Sequence, residues 1–261
     1  MSASRTPVWQ SPVTVLITGA SGGIGAALAR SYARAGRLLI LHGRDQPRLD
    51  AICEECRERG ARVVPLRFDL RDTDTATEQL RALSEREEIE LAIVNAGIMQ
   101  MLGDGEQVES VEVAREMIAV NLDGALATVA GVLPAMRRRG SGQIALISSL
   151  AALHGLAKTP IYSATKAALK AYGESLRLWL APQGIAVNVV LPGFVRTPMS
   201  MPGPKPGLMS PDRAAALIRH GLERNRARVA FPWWLASGLY LLSVLPQSLA
   251  ERMLRALGFG R

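Results

Sequence analysis

The sequence predicts an α/β fold: one domain built on a doubly wound, mostly parallel sheet. Three observations predict it. Short apolar runs recur at residues 13–17, 38–41, 63–67, 91–94, 143–147 and 186–191, and they are continuous rather than alternating. Such runs mark strands buried on both faces. Longer segments with helical spacing separate them, so strand and helix alternate from end to end. Finally, 48% of residues are hydrophobic but only 5% aromatic, leaving Ala, Val, Leu and Ile to fill the core. Right-handed crossovers then place helices on both faces of the sheet.

The elements follow in order. Val-Thr-Val-Leu-Ile at 13–17 is the first strand, and the Ala-rich stretch 24–35 is a helix stopped at Gly36. Residues 38–41 form the second strand and 47–59 a helix; 63–67 form the third strand and 75–86 a helix. After the fourth strand at 91–94, a helical region spans 111–138 with a break near Asn121, because a mid-helix Asn competes for backbone hydrogen bonds. The fifth strand (143–147), a helix (162–180), the sixth strand (186–191) and a helix (211–224) complete the alternation. Residues 229–231 suit a short edge strand, and 233–257 one or two helices broken at Pro246. No repeat, low-complexity tract or linker interrupts the chain: 1–12 reads as a polar tail and 201–207 as a surface loop.

The net charge is +8, concentrated late: from Ser200 onward nine Lys/Arg face three Asp/Glu. No basic-aromatic strand motif or recognition-helix pattern accompanies the charge, which argues against nucleic acid. An anionic cofactor, an acidic substrate or an anionic lipid surface fits instead. The only cysteines, Cys53 and Cys56, lie one helical turn apart with no second pair to complete a metal site. A disulfide framework is thus not expected, which suits a reducing, cytoplasmic setting. The three histidines are scattered, and no metal is expected. The first twelve residues hold no apolar run of the secretory kind. Residues 229–250 are uncharged but interrupted by Pro232 and Pro246, and do not read as a membrane span.

Thr18-Gly19-Ala20-Ser21-Gly22-Gly23-Ile24-Gly25 joins the first strand to the first helix. Glycines there let the backbone turn sharply and let a pyrophosphate approach, and the helix start offers free N–H groups to an anion. Gly19, Ser21, Gly22, Gly23, Ile24 and Gly25 are therefore candidate cofactor contacts. Tyr162 and Lys166 are four apart and share a helix face. A tyrosine of ordinary pKa, about 10, is a reluctant base. A neighbouring ammonium, together with the positive charge of a bound oxidised cofactor, would favour its phenolate and lower that pKa. Ser149 ends the fifth strand, at the sheet edge where ligands bind, and strand alternation turns Ser148 away.

These motifs together resemble the short-chain dehydrogenase/reductase family, in its short single-domain branch with the TGxxxGxG and YxxxK motifs. Thr18, Gly19, Gly23 and Gly25 match the first motif, and Tyr162 with Lys166 the second. The resemblance runs from Val13 to Thr197 and fades over 199–261, the region that holds the substrate. It implies a Rossmann-type fold and a hydride exchanged between a nicotinamide and a carbonyl/alcohol pair. It implies that Asn121, Ser149, Tyr162 and Lys166 are catalytic, with Tyr162 the acid/base and Lys166 also holding the nicotinamide ribose. It further implies that Asp69 and Leu70 border the adenine, that Asn95, Ala96 and Gly97 contact the cofactor, and that Pro192, Gly193, Val195 and Thr197 cover the nicotinamide. One departure is Val94, where the family often has a second Asn.

An acid ending the second strand would accept the ribose hydroxyls of NAD. This chain has Leu-His-Gly-Arg at 41–44, and Arg44 suits a 2′-phosphate, so NADP(H) is favoured over NAD(H). The expected substrate is a small carbonyl compound, apolar or 3-oxoacyl-like. Alternatives are an NAD-dependent alcohol or hydroxysteroid-type dehydrogenase, or a nucleotide-binding regulator that keeps the fold. The resemblance also implies a homo-oligomer built through the 162–180 helix. Residues 231–245 are unusually apolar for a chain end, with arginines on both sides. They should be shielded by the core, by a second subunit or by peripheral contact with a membrane.

Overall fold

Seven short strands set the frame of the protein, seen in a computed structural model that describes residues 11–102, 108–197, 199 and 205–256. They are β1 (Thr14–Ile17), β2 (Leu38–His42), β3 (Arg62–Leu66), β4 (Leu91–Val94), β5 (Gly142–Ile147), β6 (Ile185–Pro192) and β7 (Arg228–Phe231). Every residue of β1, β2, β4, β5 and β6 is buried, as continuous apolar runs require. The order is β3-β2-β1-β4-β5-β6-β7, and all pairings are parallel, including the edge strand β7 on β6. The sheet is thus wholly rather than mostly parallel.

Nine α-helices are described: α1 (Gly23–Tyr32), α2 (Gln46–Glu58), α3 (Thr73–Arg86), α4 (Val111–Ile118), α5 (Gly124–Arg139), α6 (Pro160–Leu180), α7 (Pro211–Glu223), α8 (Trp233–Val244) and α9 (Gln247–Ala256). Alternate strand residues face opposite layers. Val15, Ile17, Leu39 and Ile93 pack with α1, α2 and α7, while Leu16, Ile40, Ala92 and Leu146 pack with α3, α5 and α6. Cys53 and Cys56 lie buried and unpaired on α2. The run Val111–Arg139 is long and apolar enough to cross a membrane by length and composition, yet 56% of its apolar window is buried inside the fold.

Several boundaries differ from expectation for visible reasons. The first helix ends at Tyr32, where buried Arg37 donates to the Tyr32 carbonyl at 3.2 Å, rather than at residue 35. α3 starts at Thr73 because Asp72 caps it through the Thr75 amide. α6 begins at Pro160, two residues early, since proline suits a first helical turn. The expected break near Asn121 is a π-helical turn, Ala119–Asp123, between α4 and α5.

At the chain end two helices flank Pro246, as predicted; residue 257 lies outside the described residues. Their inner residues Ala236, Leu239, Leu242, Ala250 and Leu254 form a third cluster with Leu150, Val189 and Leu191. Within the single chain the core shields these helices only in part. Trp233 is 76% exposed and Val244 63%, and Tyr240, Leu241 and Leu249 are exposed too. α8 cannot turn every apolar side chain inward, because its sequence is apolar on all sides.

Candidate active site

Because β1 lies between β2 and β4, the chain leaves β1 and β4 in opposite directions, and a crevice opens at their carboxyl ends. The glycine turn lies there. Gly19 has φ +66°, and a Cβ on it would meet the Ala96 Cα at 2.8 Å. At Gly25 a Cβ would fall 2.1 Å from the Gly19 carbonyl oxygen, so helix and turn meet only through glycine. Asn95 braces the turn: its Nδ2 donates to the carbonyls of Thr18 (2.9 Å) and Gly19 (3.1 Å). The Asn95 side chain is thus engaged with the turn itself. Val94, the departure from the family pattern, is a buried core residue.

Gly22 is different. Its φ of −177° is ordinary extended backbone, and a Cβ there would meet nothing within 4 Å. The fold does not need glycine at this position; close approach of a ligand would. The start of α1 has no capping side chain and no acid in its first turn, whereas α2, α3, α4 and α7 are capped by Asp45, Asp72, Ser110 and Ser210. An open, uncountered helix start next to a bare glycine fits a pyrophosphate.

A cleft of about 410 Å³ runs from this turn along the sheet edge. Of the residues expected to hold a cofactor, Gly19, Ser21, Gly22, Gly23, Ile24, Asn95, Ala96, Gly97, Pro192, Gly193, Val195 and Thr197 line it. Gly25, Arg44, Asp69 and Leu70 do not. Leu70 is a core side chain, packed in the layer of α3 and α5. Asp69 is paired with Arg71, whose hydrogen bonds hold its carboxyl below the usual range; burial opposes this, and Arg44 adds a smaller push down. Arg44 is exposed, beyond the cleft and near enough to Asp69 to act on its charge. Arg48 in the first turn of α2, missed from sequence, does line the cleft and pairs with Asp45 at 3.3 Å.

The four residues expected to be catalytic come together. Ser149 and Tyr162 both line the cleft, near enough for the Ser149 hydroxyl to favour the phenolate, while the Ser149 Oγ accepts from the Ala151 amide at 3.1 Å. Ser148 turns inward, its hydroxyl donating to the Lys166 carbonyl at 2.7 Å. Lys166 is buried; its Nζ donates to the Ile147 carbonyl at 3.0 Å and lies 5.7 Å from the Tyr162 ring centroid. Asn121 is wholly buried and does not line the cleft directly. Its Oδ1 accepts from the Ile98 amide (2.7 Å), and its Nδ2 donates to the Ile98 carbonyl (2.9 Å) and the Thr165 hydroxyl (3.2 Å). A Cβ on Gly97 would meet both the Asn121 Oδ1 (3.2 Å) and the Lys166 Nζ (3.3 Å), so the two polar groups flank one glycine.

The protein's own groups do not by themselves lower the Tyr162 pKa. Burial raises the Tyr162 pKa, and the nearby Ser149 hydroxyl opposes it only in part. Burial also lowers the Lys166 pKa to about 8. The ammonium is held by a strand carbonyl, so among the protein's own groups desolvation outweighs any help it gives the phenolate. A phenol kept protonated is suited to giving a proton rather than taking one.

Two further features escape a sequence reading. Glu109 is buried, and its Oε1 accepts from the Ile161 amide at 3.1 Å, serving the open start of α6. Beyond Tyr162 the cleft is apolar, walled by Met99, Leu150, Leu156 and Phe194, with Leu235 and Leu239 of α8 closing it.

The family model described as short chain dehydrogenase matches residues 13–205. An uncharacterized oxidoreductase of Myxococcus xanthus is 37% identical over 94% of this chain and 97% of its own. A short-chain dehydrogenase from Sphingobium yanoikuyae, solved in complex with NADPH, is 33% identical with a TM-score of 0.78, covering 90% of this chain and 97% of that one. The bulky-bulky ketone specific alcohol dehydrogenase from Comamonas testosteroni is 29% identical with a TM-score of 0.77, covering 92% and 94%. With strand order, glycine turn and Tyr-Lys pair in agreement, the chain belongs to the short-chain dehydrogenase/reductase family, as an oxidoreductase acting on CH–OH with NAD(P) as acceptor.

Proposed function

We propose that this protein is an NADP(H)-dependent carbonyl reductase working reversibly on an apolar ketone or 3-oxoacyl-type group. The observation that carries this reading is the placing of Ser149 and Tyr162 in one cleft, between the glycine turn and an apolar wall. The nicotinamide supplies the hydride when bound. Tyr162 gives its phenolic proton to the carbonyl oxygen, and Ser149 donates a hydrogen bond to that oxygen as charge develops. Lys166 holds the ribose, and Asn121 fixes the segment around Ile98 and Gly97 that borders it. Pro192, Gly193, Val195 and Thr197 close over the ring.

Arg44, together with Arg48, is the reader of a 2′-phosphate, which favours NADP(H); the Sphingobium relative was solved with NADPH. The ketone specificity in the Comamonas relative's description agrees with the apolar wall found here. A nucleotide-binding regulator would not need an intact Ser149-Tyr162-Lys166 set. The unpaired cysteines Cys53 and Cys56 suit the cytoplasm, and the outer face of α6, where Leu178 is 80% exposed, suits a homo-oligomer contact.

The test is NADPH oxidation with a panel of apolar ketones and 3-oxoacyl thioesters. Wild-type protein should turn over at least one class, and Tyr162→Phe should bind NADPH normally while losing nearly all turnover. NADPH binding with no reduction across the panel would favour the regulator instead.

A further inference from the structure

α8 is apolar on two opposite sides. Trp233, Tyr240, Leu241 and Val244 form one stripe along it, and these four are 76%, 56%, 54% and 63% exposed. Leu235 and Leu239 point the other way and line the cleft. One twelve-residue helix thus separates the substrate end of the cleft from the protein surface. α9, packed on the same cluster through Ala250 and Leu254, adds exposed Leu249 and Met253. A helix apolar all round belongs in an apolar phase on both sides, and the single chain supplies only one.

Charge selects what covers the outer side. α8 carries no charged residue. On α9, Arg252 is exposed and has no ion pair among the described residues, while Arg255 pairs with Glu251 at 3.1 Å. The two helices thus carry Arg252 and Arg255 against Glu251, one positive charge in excess. A second copy docked by a two-fold axis on this face would set positive against positive. An anionic lipid surface complements it, and exposed Trp and Tyr rings beside arginines suit the headgroup depth of a bilayer.

We propose that the outer face of α8 and α9 seats on an anionic lipid surface, and that the cleft is filled from that side past Leu235 and Leu239. The substrate is then an apolar carbonyl compound dissolved in the bilayer. The docking surface stands on exposure and charge alone; the substrate class rests on the carbonyl-reductase reading above.

The experiment uses the full chain with NADPH. Sedimentation is measured with vesicles of phosphatidylcholine alone and of phosphatidylcholine with phosphatidylglycerol, at low and high salt. Reduction is measured in parallel on a water-soluble ketone and on a long-chain ketone dissolved in the same vesicles. Wild-type protein should sediment only with the anionic vesicles and be released by salt. The double variant Trp233→Ser/Leu241→Gln, outside the cleft lining, should lose vesicle affinity by about tenfold or more. It should keep its rate on the soluble ketone and lose most of its rate on the dissolved one. No sedimentation under any condition, or equal sedimentation with neutral vesicles, overturns the docking surface. So does a stable dimer that this double variant converts to monomer, which would assign the face to a second copy. Vesicle binding with equal loss of both activities overturns entry from the lipid side. Vesicle binding with no ketone reduced at all overturns the substrate class and the carbonyl-reductase reading, and leaves the surface standing.

Discussion

Glu109 accepts the amide hydrogen of Ile161 at 3.1 Å across 52 positions of sequence, and so closes the start of the helix that carries Tyr162 one residue later. A carboxylate is the favourable charge at that end of a helix. Glu109→Ala should leave the amide unpaired, at a cost of about 1–3 kcal/mol. We expect a fall of about 2–4 °C in melting temperature for each kcal/mol lost. Turnover should drop about tenfold, with NADPH affinity unchanged. Glu109→Gln keeps an acceptor in place and should recover most of the rate. Equal turnover in wild type and Glu109→Ala would show that α6 holds Tyr162 unaided.

The buried Lys166 makes both stability and cofactor capture depend on pH. Its pKa in the fold is about 8, against about 10.4 in an unfolded chain. Below pH 8 both states are protonated, and the fold carries the full penalty of a buried ammonium. Between about pH 8 and 10.4 the native state has shed its proton while the unfolded state has not, so this group's contribution to stability improves with rising pH. Lys166→Met should therefore be more stable than wild type at pH 7, by about 1–2 kcal/mol. The gap should narrow as pH approaches 10. For the wild type, kcat/KM for NADPH should decline above about pH 8 as the ammonium is lost. Denaturant titrations across pH check the first, and initial rates the second. A gap that widens with pH contradicts the assignment.

Arg44 and Arg48 divide the cofactor question. Arg44→Ala should weaken NADPH by about 1.5–3 kcal/mol and NADH far less, as for a lost hydrogen bond to a charged group. Arg48→Ala should act in the same direction, and also free Asp45 from its ion pair. Kd values for both cofactors and both variants decide it. Equal losses for NADPH and NADH would mean that neither arginine reads the phosphate.

Gly25 and Gly22 should separate fold from ligand. Gly25→Ala drives a methyl group to 2.1 Å from the Gly19 carbonyl oxygen and should fail to give a stable protein. Gly22→Ala meets nothing within 4 Å and should melt like wild type or slightly higher. Its NADPH affinity should nevertheless fall by about tenfold or more, since the methyl group would stand where the backbone approaches the pyrophosphate. Unchanged affinity would place the phosphates elsewhere.

Much of this was legible in the sequence where function and local structure use the same residues. Strands buried on both faces must be continuous apolar runs, so β1, β4 and β5 announce themselves. The glycine turn and the Tyr-Lys spacing are local as well. Contacts between distant segments were not legible. Nothing around Glu109 says that it meets Ile161, and Asn121 is tied to Ile98 and Thr165. That the protein's own groups raise the Tyr162 pKa was not legible either, because spacing reports that Lys166 is near but not how strongly desolvation acts on both groups. Arg48 was missed because its place in the cleft depends on where Asp45 starts α2. The C-terminal stretch reads as apolar, but only its geometry divides it into a side for the cleft and a side for the surroundings.

The position of β1 between β2 and β4 also bears on how the protein is made. The Thr18 amide donates to the Ile93 carbonyl at 3.0 Å, and the Thr18 hydroxyl accepts from the amides of Asn95 and Ala96. On the ribosome, β1 through β3 emerge first and pair among themselves, while the inner edge of β1 stays open until β4 has been synthesised. Through that interval the glycine turn lacks its brace from Asn95, so a nascent chain released before that point presents an unpaired apolar strand to its neighbours. Truncation before β4 should therefore yield aggregates rather than a small nucleotide-binding fragment.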